Sequence, residues 1–320
     1  MLVYDKITKR IDWICGRYRD YNYLRNNINQ GGRKKRIFVG SSYTLFGIIP
    51  SHENVVLALQ SQDIYYSYKI LQKYLSVNKT ESIEVYLGLG YYALYHDLSS
   101  TKSYDENNRI VDIYYPLLHD FHNMPVERYN NACSRISFID RCIKSIYCIC
   151  TKFEKNTYGY FDADITRESK SRKTWKDLSK EWVDLSDLEK QEAAVNRALS
   201  HEKLLKYCDT CTENKTIIKN IQKLCRDYNC KLTVFIAPMS KQYLMAMSDN
   251  YKEKSRELIR FLKYENISFF DFNSSGGFEN QDFVDSDHLS LSGATKLSAM
   301  IEYIQGGESY NYEDRIFLQK

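Results

Sequence analysis

Arg36-Ile-Phe-Val-Gly40 is a short apolar run that stops on a glycine, and Ser41-Ser42-Tyr43 follows it at once. The run has the length of a strand, and its closing glycine lets the chain turn tightly. A serine just past that turn stands at the carboxyl edge of a sheet. If a helix begins there, its unpaired N–H groups favour developing negative charge. The same serine equally suits a helix cap, so the stretch alone does not decide chemistry.

Reading outward, apolar runs alternate with amphipathic stretches. Asn54–Leu59 is expected as the second strand, Ile83–Leu87 as the third, Lys231–Ala237 as the fourth and Ile267–Phe272 as the fifth. Between the second and third, Gln60-Ser61-Gln62-Asp63 offers N-cap chemistry to a helix of about 16 residues. Its stripe is Ile64, Tyr68, Leu71 and Leu75. Helices are expected over 216–228 and 252–264, and a closing one over 292–304. Strands joined by helices predict a parallel, right-handed, doubly wound sheet, an α/β fold with about five strands in a flavodoxin-like three-layer αβα sandwich. Ligands of such sheets sit beyond the carboxyl ends of the strands.

The alternation lapses between 95 and 200, a tyrosine-rich stretch read as a largely helical insertion that caps one end of a single 1–320 domain. A helical piece is expected over 130–152, a turn at Tyr158-Gly-Tyr-Phe161, and a capping box at Ser186-Asp-Leu-Glu189 opening a helix to about Leu199. With four prolines and 13 glycines in 320 residues, the chain lacks the composition of linkers or disordered tails. Lys and Arg number 45 against 41 Asp and Glu, a net +4 that does not announce nucleic acid as partner. Nine scattered cysteines are not a disulfide framework, and the Cys208–Cys211 CxxC has no second pair to complete a zinc site. No run approaches a membrane span or a signal sequence, so a cytoplasmic location is the expectation.

The second half of the chemistry lies near the C-terminus, in Val284-Asp285-Ser286-Asp287-His288-Leu289-Ser290-Leu291-Ser292-Gly293-Ala294. Asp285 and His288 are three apart, so the carboxylate can orient the imidazole and His288 can take a proton from Ser42. Asp287 is a competing orienting acid that spacing does not exclude. His96 with Asp97 is a second acid–base pair by sequence. His119 and His122 have the spacing of two ligands on one helix face, without an obvious third, and no metal is expected.

Gly40-Ser41-Ser42 together with Asp285-Ser-Asp-His288 resembles the SGNH (GDSL-type) hydrolase superfamily. In that superfamily the nucleophilic serine follows the first strand and a DxxH lies near the C-terminus. The nearest branch resembles the teichoic-acid D-alanylation and alginate acetylation proteins, which also carry Gly-Ser-Ser, and Asp287-His-Leu-Ser-Leu-Ser-Gly-Ala294 is similar to the superfamily's ending. The resemblance implies a catalytic Ser42–His288–Asp285 triad. It also implies a serine esterase or O-acyltransferase, without cofactor, acting on an acylated carbohydrate such as a bacterial surface polysaccharide or its precursor. Members commonly place a glycine after the second strand and an asparagine after the third as oxyanion donors. Here those places hold Gln60-Ser61-Gln62 and Gly88-Leu-Gly90-Tyr91-Tyr92. Ser61, Gly90 and Tyr92 are therefore the candidate oxyanion or substrate-binding residues. Tyr91, Tyr95, Tyr114 and Tyr115 are further candidates to line a sugar pocket. The departures motivate an alternative, a catalytically weak carbohydrate-binding protein on the same fold. A phosphate binder using the Gly40 loop ranks lower, since neither GxxxxGK[ST] nor GxGxxG occurs.

Overall fold

The computed structural model describes residues 2–29, 34–78, 83–134, 142, 146 and 182–305. The chain forms two compact units. One joins Gly32–His96 to Lys173–Lys320, and the other joins Met1–Gly31 to Asp97–Arg172.

The first unit holds the sheet. Its strands are β1 (Arg36–Gly40), β2 (Asn54–Ala58), β3 (Glu84–Leu89), β4 (Lys231–Ile236) and β5 (Ser268–Asp271), all parallel and in the order β2-β1-β3-β4-β5. This is the α/β fold expected, with each strand within two residues of its expected bounds. β1, β3 and β4 are buried along almost their whole length, as near-continuous apolar runs in a parallel sheet should be. The Ile64–Val77 helix packs against Cys208–Asp227, and the Ser42–Gly47 helix against Leu291–Gln305, which makes the two outer layers. Asp63 caps Ile64–Val77 by accepting the Tyr66 N–H at 2.8 Å. That helix buries Ile64, Leu71 and Leu75, whereas Tyr68 is only half-buried and Tyr66, Ile70 and Tyr74 fill the rest of the face. The connection from β1 runs to β2 on one side, and the next returns past β1 to β3 on the other. The crevice between β1 and β3 is thus the topological switch point of the sheet.

The capping box at Ser186 is formed, with Ser186 Oγ accepting the Glu189 N–H and Glu189 reaching back to the Ser186 N–H. Its helix, Asp187–Glu202, packs on Lys241–Ala246 within the sheet-bearing unit. The other unit ends at Arg172 and takes in the N-terminal segment, where a 95–200 insertion was expected. Within it, Leu2–Asn29 is a long helix, tied by Arg17 Nε to Asp112 at 2.6 Å and by Asp20 to Arg109 Nη1 at 3.1 Å. The helix expected over 130–152 begins earlier, as Val126–Ser134, and most of its later part lies outside the described residues, as does Tyr158–Phe161. His119 and His122 do not share a helix face. Both take left-handed backbone (φ 54° each), His119 closing the Tyr115–Leu118 helix and His122 lying in the following turn. No described helix is long and apolar enough to cross a membrane.

Candidate active site

Gly40 ends β1 at φ +146°, a conformation that side chains rarely adopt, and a Cβ there would collide with Thr44 Oγ1 and the Gly88 carbonyl. The turn it allows starts the Ser42–Gly47 helix immediately. Ser41 is its N-cap residue, and the Ser41 carbonyl accepts from Thr44 and Leu45 N–H at 3.0 Å each. Ser42 is thereby the first helical residue, standing above the sheet edge.

After β5 the chain returns to the same edge. Asp285 Oδ1 accepts the backbone N–H of Asp287 at 2.9 Å and of His288 at 2.8 Å, so the carboxylate builds its own turn. The turn brings Asp285 Oδ2 to 2.8 Å from His288 Nδ1. On the other side of the ring, His288 Nε2 is 2.9 Å from Ser42 Oγ. An ionised carboxylate only accepts, so Nδ1 carries the imidazole proton and Nε2 accepts from the serine hydroxyl. The imidazole lies between Tyr43, stacked at 5.4 Å, and the edge of Phe46 at 5.8 Å.

Burial pushes the Asp285 carboxyl up, but the His288 charge and hydrogen bond and the Asp287 N–H outweigh it and hold it well below the usual range. Burial pushes His288 down, but Asp285 and Asp287 more than reverse this and its pKa is raised above 6.5. The structure separates the two acids that spacing left open. Asp287 approaches His288 Nδ1 only to 3.6 Å, and its carboxylate faces Arg197 Nε at 3.0 and 2.9 Å and the Tyr43 hydroxyl at 2.8 Å. Asp285, Asp287 and His288 lie close enough together to hold a cation, but the Asp287 carboxylate already faces the Arg197 guanidinium.

The stretches after β2 and β3 contribute Gln62, Gly90 and Tyr92, though not Ser61, to a small pocket also lined by Gly40, Ser41 and Gly88. Ser41 contributes to this lining and Ser42 does not. Ser61 adopts left-handed backbone at φ 56°, the conformation for which glycine is the ordinary choice. The Gly90 N–H has no partner among the described residues. The Leu89 carbonyl accepts from Ala237 on the β4 side, so strand alternation turns the Gly90 N–H toward β1, where Ser42 stands. Any Cβ on Gly90 would meet the Tyr43 ring at 2.5 Å.

Of the tyrosines expected to line a sugar pocket, Tyr92 lines this small pocket, its ring stacked on His201 at 3.9 Å. The others are engaged elsewhere. The Tyr91 hydroxyl donates to Asp271 at 2.8 Å and that of Tyr95 to Glu257 at 2.8 Å. In the helical unit Tyr114 is fully buried and Tyr115 packs with Phe121 and Tyr129. His96 lines the pocket, and the Asp97 carboxylate is engaged within the helical unit by Ser99, Ser100 and His122. Of the CxxC, Cys208 is exposed and Cys211 is buried with its thiol pushed up by that burial.

Arg197 and His201 had no place in the sequence reading. They are four residues apart on the Asp187–Glu202 helix and so share a face, the one signal that could have paired them. His201 is buried, which pushes its pKa down to about 3 and keeps it neutral, and its Nδ1 bonds the Tyr243 hydroxyl.

No family model and no curated protein matches this chain. Among solved structures it is similar to a Streptococcus pneumonia protein described provisionally as a platelet activating factor. The TM-score is 0.39 at 12% identity, over 94% of this chain and 95% of that one.

Proposed function

We propose that this chain is an SGNH-type serine esterase or O-acyltransferase that works through an acyl-enzyme on Ser42. The observation that carries the reading is the unbroken chain Ser42 Oγ–His288 Nε2 at 2.9 Å and His288 Nδ1–Asp285 Oδ2 at 2.8 Å. Two motifs 243 residues apart in sequence, Ser42 and Asp285, meet there at the switch point of the sheet.

In this mechanism His288 Nε2 takes the Ser42 proton as Oγ attacks the ester carbonyl. Asp285 keeps Nδ1 protonated and stabilises the imidazolium. The oxyanion is received by the Ser42 N–H, at the first turn of its helix, and by the Gly90 N–H. His288 then gives its proton to the departing alkoxide oxygen, leaving the acyl-serine. Water, or a sugar hydroxyl in the transfer reaction, is deprotonated by His288 in turn and attacks the acyl carbonyl, and His288 returns the proton to Ser42 Oγ as it leaves. The carbohydrate part of the proposal rests on the motif resemblance, together with Tyr92 beside the pocket as an aromatic face for a sugar.

The test is fluorophosphonate labelling and p-nitrophenyl acetate hydrolysis by the wild type and Ser42→Ala. Labelling confined to Ser42 and hydrolysis abolished by the substitution support the reading. Equal behaviour of the two proteins would sink it in favour of a binding protein on the same fold.

A further inference from the structure

We infer that Tyr43, Asp287 and Arg197 form a positioning clamp for the Ser42–His288 pair, a device whose purpose rests on the esterase or acyltransferase reading. Tyr43 follows the candidate nucleophile and Asp287 precedes the candidate base. The hydrogen bond from the Tyr43 hydroxyl to Asp287 Oδ2, 2.8 Å, therefore joins the same two chain segments as the Ser42–His288 bond, one residue away on each side. The Tyr43 ring adds a second contact to the same loop by stacking on the imidazole.

Asp287 is 1% exposed, and a buried carboxylate without a cation is strongly unfavourable. Arg197 supplies that cation from the Asp187–Glu202 helix, its Nε donating to both carboxylate oxygens. Its role follows from what Asp287 would otherwise do. Asp287 Oδ1 is 3.6 Å from His288 Nδ1, so a released carboxylate would compete with Asp285 for the imidazole proton. Arg197 and Tyr43 hold it turned away, and the Nδ1 proton of His288 is left to Asp285 alone.

The groups facing His288 are Asp285 and Asp287 on its own loop, Tyr43 and Phe46 on Ser42–Gly47, and Arg197 and His201 on Asp187–Glu202. Burial keeps Tyr43 and His201 neutral. The charged groups are thus two carboxylates, which raise the His288 pKa, and Arg197, which lowers it.

The experiment is an NMR titration of the His288 ring in the full chain, its signal assigned by loss in His288→Ala, paired with the rate of fluorophosphonate labelling of Ser42. Arg197→Gln should raise the His288 midpoint by about one pH unit, and Asp287→Asn should lower it by a similar amount. The double variant should return it close to wild type. Tyr43→Phe should slow labelling about tenfold through misalignment. If Arg197→Gln does not fold, Arg197→Lys keeps the charge and loses the two-oxygen contact, so its midpoint should stay near wild type while labelling slows. Midpoints in Arg197→Gln and Asp287→Asn equal to wild type, or Tyr43→Phe labelled as fast as wild type, overturn the clamp. If the wild type itself is never labelled, the esterase reading is overturned, and the clamp is then judged on the Arg197→Gln and Asp287→Asn midpoints alone: shifted as stated they support it, unshifted they overturn it.

Discussion

The sheet-bearing unit and the helical unit each contain a serine, a histidine and an aspartate within hydrogen-bond reach, wired differently. In the first, Ser42 and Asp285 sit on opposite nitrogens of His288, so a proton leaving the serine has a route and the charge it creates has a partner. In the second, Ser99 Oγ donates to Asp97 Oδ1 at 2.5 Å and lies 3.2 Å from His122 Nδ1, so serine and acid crowd the same nitrogen. A hydroxyl has one proton, and here it is spent on the carboxylate. Ser99 is also fully buried and accepts the Asn123 N–H, which marks the cluster as a staple between two turns of its unit. Residue types alone do not make a nucleophile; the order in which they are bonded does.

The strongest way to break this contrast is to remove each serine. Ser42→Ala should lower ester hydrolysis about a millionfold, while Ser99→Ala leaves Ser42 labelling in the folded protein intact. Labelling lost in both would mean that the two clusters are not functionally distinct. Next in size is the acid. Asp285→Asn should cost about ten-thousandfold through the wrong imidazole tautomer, measured as kcat/KM, whereas Asp97→Asn should leave kcat/KM near wild type.

The pH profile sharpens the same difference. His288 must be neutral to accept a proton, and its pKa is raised by the carboxylates. Wild-type kcat/KM should therefore fall as pH drops through an apparent pKa above 6.5, and the limb should move to lower pH in Asp285→Asn. Asp97 acts on stability instead. Burial raises its carboxyl pKa, but the His122, Ser100 and Ser99 hydrogen bonds lower it further, so the folded value is depressed. Its contribution is present above the unfolded value of about 3.9 and is lost as pH falls through the folded one. Acid denaturation followed by circular dichroism should be flatter between roughly pH 5 and 2 in Asp97→Asn. Ser99→Ala leaves Asp97 short of a buried donor and should cost about 1–3 kcal/mol in urea unfolding. The smallest effect is Ser61→Gly, which relieves left-handed backbone and should change stability by no more than about 1 kcal/mol, toward stabilisation.

Much of the sheet was legible because its strands are short apolar runs with clear stops. Arg36–Gly40 ends on a glycine, and Lys231–Ile236 ends just before Ala237-Pro238. The Ser186 capping box was legible for the same reason, since both of its bonds are made within four residues. Long-range packing decides what local pattern does not carry. Tyr91 and Tyr95 are aromatic residues beside the site in sequence, yet carboxylates on β5 and on the Asp249–Tyr264 helix draw their hydroxyls away. His119 and His122 have helical spacing, but the Tyr115–Leu118 helix stops beneath them.

By itself the sequence determined the α/β order of elements, the glycine turn that sets Ser42 at a strand end, and the DxxH that can fold its own carboxylate onto its own imidazole. These are local matters of periodicity, backbone freedom and spacing. Only the tertiary structure decided that Asp285 rather than Asp287 faces His288, because Arg197 and Tyr43, 90 and 244 residues away, claim the Asp287 carboxylate first. A buried charge goes to the cation and donors that the fold brings to it, and sequence separation sets no limit on which those are.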